Sequence, residues 1–289
     1  MSVQPPSSLR GILFMLAAVA AFSLMDVSLK LLTPHYPAMQ VAALRGLSSL
    51  PLVVLWIMLT GGFRLVLTKR WTLHLLRGVF AVLMLASFAF ALRTLPLAEA
   101  YSLFFIAPLL VTALAVPLLG ERVGWRRWAA IVVGLAGVLI VLRPDATRMA
   151  TLGSVAVLLA ATLYSLSAVT VRLLGRTDST QGMVFWMITL LSLFAVAAAW
   201  HEWVAIQQGH WLILAGLAVS GAFGQYAVTE AFKHTDASII APFEYTALGW
   251  GMGLDWLIWN TLPDRMMLVG AGVIIASGIY LIRRERHPS

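Results

Sequence analysis

Polar side chains interrupt the long apolar runs of this chain at helical spacing. In FSLMDVSLKLL (22–32), Ser23, Asp26 and Lys30 follow i, i+3, i+7 and share one stripe. In APFEYTALGWGMGLDW (241–256), Glu244, Leu248, Gly251 and Asp255 follow i, i+4, i+7, i+11, again one face. Arg45 stands in AALRGLSSL with Ser48 one turn on. A charge at the centre of an apolar segment costs roughly 2.5–3.5 kcal/mol on insertion scales, so such groups face a protein interior or a wet cavity. Asp26 either lines a passage or takes up a proton, or it pairs with Lys30. Arg45 either meets a carboxylate of a bound molecule, to which its fork is suited, or is held in a buried pair with Asp26 or Glu244. Pro242 can free a backbone carbonyl one turn earlier, making Glu244 with Tyr245 the leading candidate for a polar contact in a cavity. Lys30 and Arg172 fall near segment ends, where long side chains snorkel.

Rings accompany these charges. Phe80, Phe90, Tyr101, Phe104, Tyr164, Trp186, Tyr226 and Trp250 lie within apolar runs, away from the positions that make an interfacial belt. Stacking on them would select a planar side chain, while ordinary helix packing is the plainer reading of any single ring. Gln225, beside Tyr226, is a neutral hydrogen-bond partner. Glu99 and Glu230 stand close to segment ends and read as solvated, and Asp255 as a residue of a mouth or interface. His201, Glu202 and His210 make a poor metal set on a loose connection. No metal or other cofactor is expected.

The segments that must position these groups are helices in lipid. Of 289 residues, 61% are hydrophobic and 11% charged, with mean hydropathy +0.90, too little polar surface for a soluble domain. There is no cysteine, hence no disulfide, thiolate ligand or cysteine nucleophile. About 20 apolar residues cross a bilayer. Ten such spans are read, at 10–32, 38–60, 72–93, 96–118, 125–143, 150–173, 182–201, 210–232, 237–259 and 265–283. The first is a retained helix and not a cleaved leader, because Asp26 and Lys30 follow it without a cleavage-like run of small residues. The net charge of +8 reflects topology and not nucleic-acid binding. Arg10, Arg64, Lys69, Arg70, Arg77, Arg122, Arg126, Arg127, Arg172, Arg176, Lys233, Arg283, Arg284 and Arg286 fall in gaps on the amino-terminal side. Only Lys30, Arg93, Arg143, Arg148 and Arg265 fall opposite. Both termini are therefore expected in the cytoplasm.

The chain also repeats itself. GILFMLAAVAAFSLMDVSLKLL (11–32) aligns without a gap to GSVAVLLAATLYSLSAVTVRLL (153–174), 142 positions on. ALRTLPLAEAYS (91–102) lies over AFKHTDASIIAP (231–242), and GVLIVL (137–142) over GIYLIR (278–283). Five spans per copy is odd, so the second copy enters the membrane inverted, a plan with its binding site near midplane. The expected architecture is all-α, with a first repeat over 1–147 and an inverted second over 148–289. Gly134, Gly137, Gly270, Gly272 and Gly278 read as close helix packing.

PLLGERVGWRRWAAIVVGLAGVLIVLRP (117–144) and ASIIAPFEYTALGWGMGLDWLIW (237–259) carry a family resemblance. With ten spans in two inverted repeats, the whole chain resembles the EamA-type drug/metabolite transporter superfamily. APFEYTALGW resembles one bacterial branch, and the likeness extends to amino-acid exporters of the YddG type. Where the family often repeats Gly-Glu in its second half, this chain has Asn260-Thr261. The resemblance implies a basket-like fold in a bacterial inner membrane. It also implies alternating access around a cavity walled by the first, third, fourth and sixth to ninth spans, and export of amino acids, aromatic ones included. Import of another metabolite, such as S-adenosylmethionine or riboflavin, is the alternative. The expected partners are a small-molecule substrate and membrane lipid, with no nucleic acid, for a chain that can act as a monomer. The expected substrate-binding set is Asp26, Arg45, Phe80, Tyr101, Phe104, Tyr164, Trp186, Gln225, Glu244 and Tyr245. An intramembrane enzyme acting on lipid is a remote alternative, since such chemistry needs clustered acids or a nucleophile with its base, and the twelve acids here are scattered.

Overall fold

Helices account for nearly all regular structure, as the unbroken apolar runs require of backbone that has no water to bond to. The computed structural model describes residues 8–91, 95, 97–144, 151–260, 262 and 264–286. In chain order the helices are α1 (Ser8–Leu32), α2 (Ala38–Thr60), α3 (Trp71–Ala91), α4 (Leu97–Phe104), α5 (Ala107–Leu119) and α6 (Trp125–Leu142). They continue as α7 (Leu152–Leu174), α8 (Thr180–Ala199), α9 (Trp211–His234), α10 (Ala237–Ile240), α11 (Ala247–Trp259) and α12 (Arg265–Arg286), with a 3-10 segment at Ala241–Thr246 between α10 and α11. Among the described residues, eight segments are long and apolar enough to cross a membrane. The other two expected spans are the broken Ala237–Trp259 region and α12, whose apolar stretch is Arg265–Leu281.

Two expected spans are interrupted for a local reason. Pro108 lacks the N–H that would bond Phe104, and the fourth span breaks at Phe105–Ile106 into α4 and α5. Pro242 opens the 3-10 segment in the ninth, so Glu244 sits on a tightened turn and not on regular helix. Arg93, Arg148, Thr261 and the expected repeat boundary at 147/148 lie outside the described residues, as do the side chains of Glu99, Arg284 and Arg286.

The packing has the symmetry of a duplication. α1 packs along α9 and α7 along α3, while α2 crosses α8 and α6 crosses α12. Exchanging the halves converts the first pair into the second and leaves the other two unchanged. The copies also run in opposite senses. Arg10, at the start of α1, lies 3.9 Å from Glu230 near the end of α9. Arg172, at the end of α7, donates to the Lys233 carbonyl and the Asp236 carboxylate, both at 2.8 Å. The beginning of α1 and the end of its counterpart α7 therefore share one face, here called the terminal face. The end of α1 reaches the opposite, far face, where Lys30 bonds Asp255 at 2.9 Å and Arg143 bonds Asp264. Lys30 thus reaches across to α11.

α6 and α12 touch through glycine. A Cβ on Gly270 would stand 2.7 Å from the Gly137 carbonyl oxygen and 2.5 Å from Val141; one on Gly134 would meet the Tyr245 ring at 2.6 Å. Gly272 faces open space and Gly278 has only ordinary contact with Phe243, so close packing applies to Gly134, Gly137 and Gly270 and not to these two. Gly270→Ala should force the helices apart and destabilise the protein by about 1–3 kcal/mol, whereas Gly272→Ala should be silent. Thermal unfolding in detergent, followed by loss of soluble monomer, checks the contrast.

Candidate substrate site

A train of rings crosses the interior from α3 to α7. Phe88 on α3 lies 5.7 Å from Tyr101 and 5.5 Å from Phe104 on α4. Phe104 lies 5.7 Å from Tyr164 on α7. These separations and tilted or edge-on angles are those of favourable ring pairs. The train ends on an acid, because the Tyr164 hydroxyl donates to Glu244 Oε1 at 3.0 Å. Three sources converge here: the α4–α5 break ends α4 at Phe104, the α3–α7 packing sets Phe88 and Tyr164, and the 3-10 turn presents Glu244.

Charged groups flank the rings. Arg77 on α3 is 3% exposed; its guanidinium donates to the Met183 carbonyl at 3.2 Å, and among the described residues its Nε meets no hydrogen-bond acceptor. It acts electrostatically on Tyr164. On the α1–α2 side, Asp26 acts electrostatically on both Arg45 and Tyr101, and its side chain is exposed. The Arg45 guanidinium rests 5.7 Å from the Phe22 ring centroid. Arg45, Ser49, Met187 and buried Gln225 line one small cavity between α2, α8 and α9. Tyr101 is half open, at 39% exposure.

The structure therefore gathers Tyr101, Phe104, Tyr164 and Glu244 directly; Asp26 acts on Tyr101 and on Arg45, and Arg45 shares a separate small cavity with Gln225. Trp186 lies elsewhere: its indole donates to the Val66 carbonyl at 2.8 Å and packs on Trp71 near the terminal face. Tyr245 points away from its neighbour Glu244, 1% exposed among Ile131, Val138 and Ile274. Phe80 is half-buried on α3. Tyr226 packs against Trp56 on a groove between α2 and α9, apart from the ring train. Phe90 and Trp250 are both exposed. Glu230 is not solvated as expected but 7% exposed, bonded by the Thr180 hydroxyl and 3.2 Å from His234.

Sequence reading missed two members. Phe88 carried no mark beyond being one ring in an apolar helix. The basic-residue tally counts Arg77 with a connection, although the expected third span (72–93) contains it; α3 runs from Trp71 and carries Arg77 nearly two turns inside. The available signal was its spacing, three residues after His74, on the face that packs inward.

The EamA-like transporter family model matches residues 9–143 and 151–284, one copy in each half. The chain belongs to that family of membrane transporters and is a multi-pass membrane protein and not an enzyme. Among curated proteins it is 27% identical to the pseudopaline exporter CntI of Pseudomonas aeruginosa, over 96% of this chain and 97% of that one. It is equally identical to a riboflavin transporter of Vibrio cholerae, over 97% and 95%. The S-adenosylmethionine uptake transporter of Rickettsia prowazekii is again 27% identical, over 96% and 94%. A solved crystal structure with 18% identity superposes with TM-score 0.82 over 98% of this chain and 99% of that one, which shows the fold.

Proposed function

We propose that this chain is an inner-membrane exporter of amino acids, aromatic ones among them, working by alternating access with both termini in the cytoplasm. The ring train ending on the Tyr164–Glu244 bond carries this reading. A flat side chain stacks against Tyr101, Phe104 and Tyr164. Glu244 or Asp26 receives the cargo ammonium, and Arg45 its carboxylate, with Gln225 as a neutral partner. Phe80 completes the wall on α3, while Tyr245 braces the 3-10 turn from behind and Trp186 stands apart near the terminal face. Lipid surrounds the chain, which acts as a monomer.

A second reading, uptake of a larger flat-ringed metabolite, is favoured by two relatives, the riboflavin transporter and the S-adenosylmethionine uptake transporter. Counterflow in proteoliposomes separates the two: the protein is offered a panel of amino acids, riboflavin and S-adenosylmethionine, and exchange of each is followed. Exchange of phenylalanine or tryptophan supports the first reading. Exchange of riboflavin or S-adenosylmethionine alone supports the second, and no exchange of any amino acid overturns the first. Within the first reading, Tyr101→Ala should weaken competition by aromatic cargo about threefold to tenfold and leave aliphatic cargo nearly unchanged, the difference being one ring pair. Tyr101→Phe should resemble the parent.

A further inference from the structure

The two halves are equivalent in plan but not in how their mouths close. The counterpart of the α5–α10 contact, on exchanging halves, is α11 against α4. On the terminal face α5 packs on α10 and on the 3-10 segment that follows; among the described residues, α4 and α11 make no contact of similar extent. Among the described residues, this junction is therefore packed at the terminal face and not at the far face.

One carboxylate sits at the closed junction. α5 ends at Gly120, whose φ of +73° turns the chain sharply. The next residue, Glu121, crosses to the second half. Its oxygens accept from the Ala237 N–H at 2.8 Å, the Ser238 N–H at 3.1 Å and the Ser238 hydroxyl at 2.7 Å. Arg127 adds a donor to the same hydroxyl at 3.3 Å. Just upstream, Arg172 holds Asp236 and the Lys233 carbonyl. The first residues of α10 are thereby fixed from both sides, and six residues beyond Ser238 the same continuous turn presents Glu244.

The sequence of the second half has no carboxylate at the matching position. α11 ends at Asn260, also left-handed with φ +56°, where Gly120 ends α5. In sequence, threonine follows Asn260 where Glu121 follows Gly120. A charged acceptor makes hydrogen bonds roughly twice as strong as a neutral one. We propose that Glu121 is a positioning residue that latches the terminal face shut and sets Glu244 against Tyr164, and that the missing carboxylate opposite makes the far-face-open state the resting one. The latch requires a cargo site between the halves but does not depend on which cargo fills it.

The chain has no cysteine, so a single reporter can be added without removing any. With Tyr101→Cys as reporter, an impermeant maleimide is applied from each face of sealed, oriented vesicles without cargo, and the ratio of the two modification rates is read. The reporter protein should be modified faster from the far face. Adding Glu121→Ala should raise the terminal-to-far ratio roughly tenfold, the equivalent of one charged hydrogen bond. Glu121→Gln, which keeps one acceptor, and Ser238→Ala, which removes one donor, should move it the same way by less. Mere loss of folded protein lowers both rates together and leaves their ratio unmoved. Should Glu121→Ala misfold, the other two variants decide. An unchanged ratio in both Glu121→Gln and Ser238→Ala overturns the latch, as does a parent modified equally from both faces. Because no cargo is present, either outcome is independent of the aromatic amino-acid reading.

Discussion

Glu244→Ala should reduce efflux of aromatic amino acid from preloaded vesicles by at least roughly 30-fold, since truncating one partner of a buried charged hydrogen bond costs 2–5 kcal/mol. The residue ends the ring train, accepts from Tyr164, and stands on a 3-10 turn that fixes its direction. Glu244→Gln separates the charge from the contact. Its amide oxygen still accepts from Tyr164, so the fold is kept while the ammonium partner is lost. Efflux should fall nearly as far as in the alanine variant, with thermal stability close to the parent. Tyr164→Phe, which keeps the ring and removes the hydroxyl, should fall by less. Full efflux in Glu244→Gln would show that the carboxylate does not meet the cargo.

The largest effect on stability is expected below the site. His74 on α3 and Asp178, in the turn before α8, form a pair with side chains 1% and 5% exposed and Nε2···Oδ2 at 2.8 Å. Asp178→Ala should destabilise the protein by roughly 3–5 kcal/mol, because removing one partner strands the other in the interior. Burial pushes the Asp178 carboxyl upward, but hydrogen bonds from Thr68, His74 and Thr177 outweigh it and hold the group below its ordinary value of 3.8. A depressed carboxyl stabilises the fold above its unfolded value and ceases to do so as pH falls through its folded one. Acid unfolding of the parent should therefore show a loss below about pH 4 that the alanine variant lacks. Thermal melts from pH 3 to 7 check both points, and a parent and variant with equal melts would contradict them.

Much of the architecture was legible because duplication writes the same helix twice. The 11–32 and 153–174 match fixed the odd number of spans per copy, and the contacts of Arg10 and Arg172 at one face bear out the inversion that follows. Hydropathy is nearly blind to breaks within a span, since Phe105 and Ile106 are as apolar as the helices they separate. Adjacency also misleads. Glu244 and Tyr245 are neighbours in sequence, yet a tight turn sends one toward Tyr164 and the other toward Gly134 on α6. Trp186 reads as a buried ring, but its indole N–H finds the Val66 carbonyl, a bond that hydropathy cannot foresee. The count of basic residues sets Arg77 with a connection; the cost of a guanidinium within a span falls when it faces Met183 and Tyr164 inside the protein.

Cargo protection measures most directly whether cargo lies against the rings. Tyr101→Cys and Thr33→Cys are made separately in the cysteine-free chain. Thr33 follows α1 at the far face and is exposed, as Tyr101 is. Maleimide modification of each is timed in proteoliposomes with and without saturating phenylalanine or tryptophan. Cargo in the proposed site slows modification at position 101 several-fold and leaves position 33 unchanged. Equal rates at 101 with and without an amino acid that the parent protein exchanges would contradict a site built on Phe88, Tyr101, Phe104, Tyr164 and Glu244.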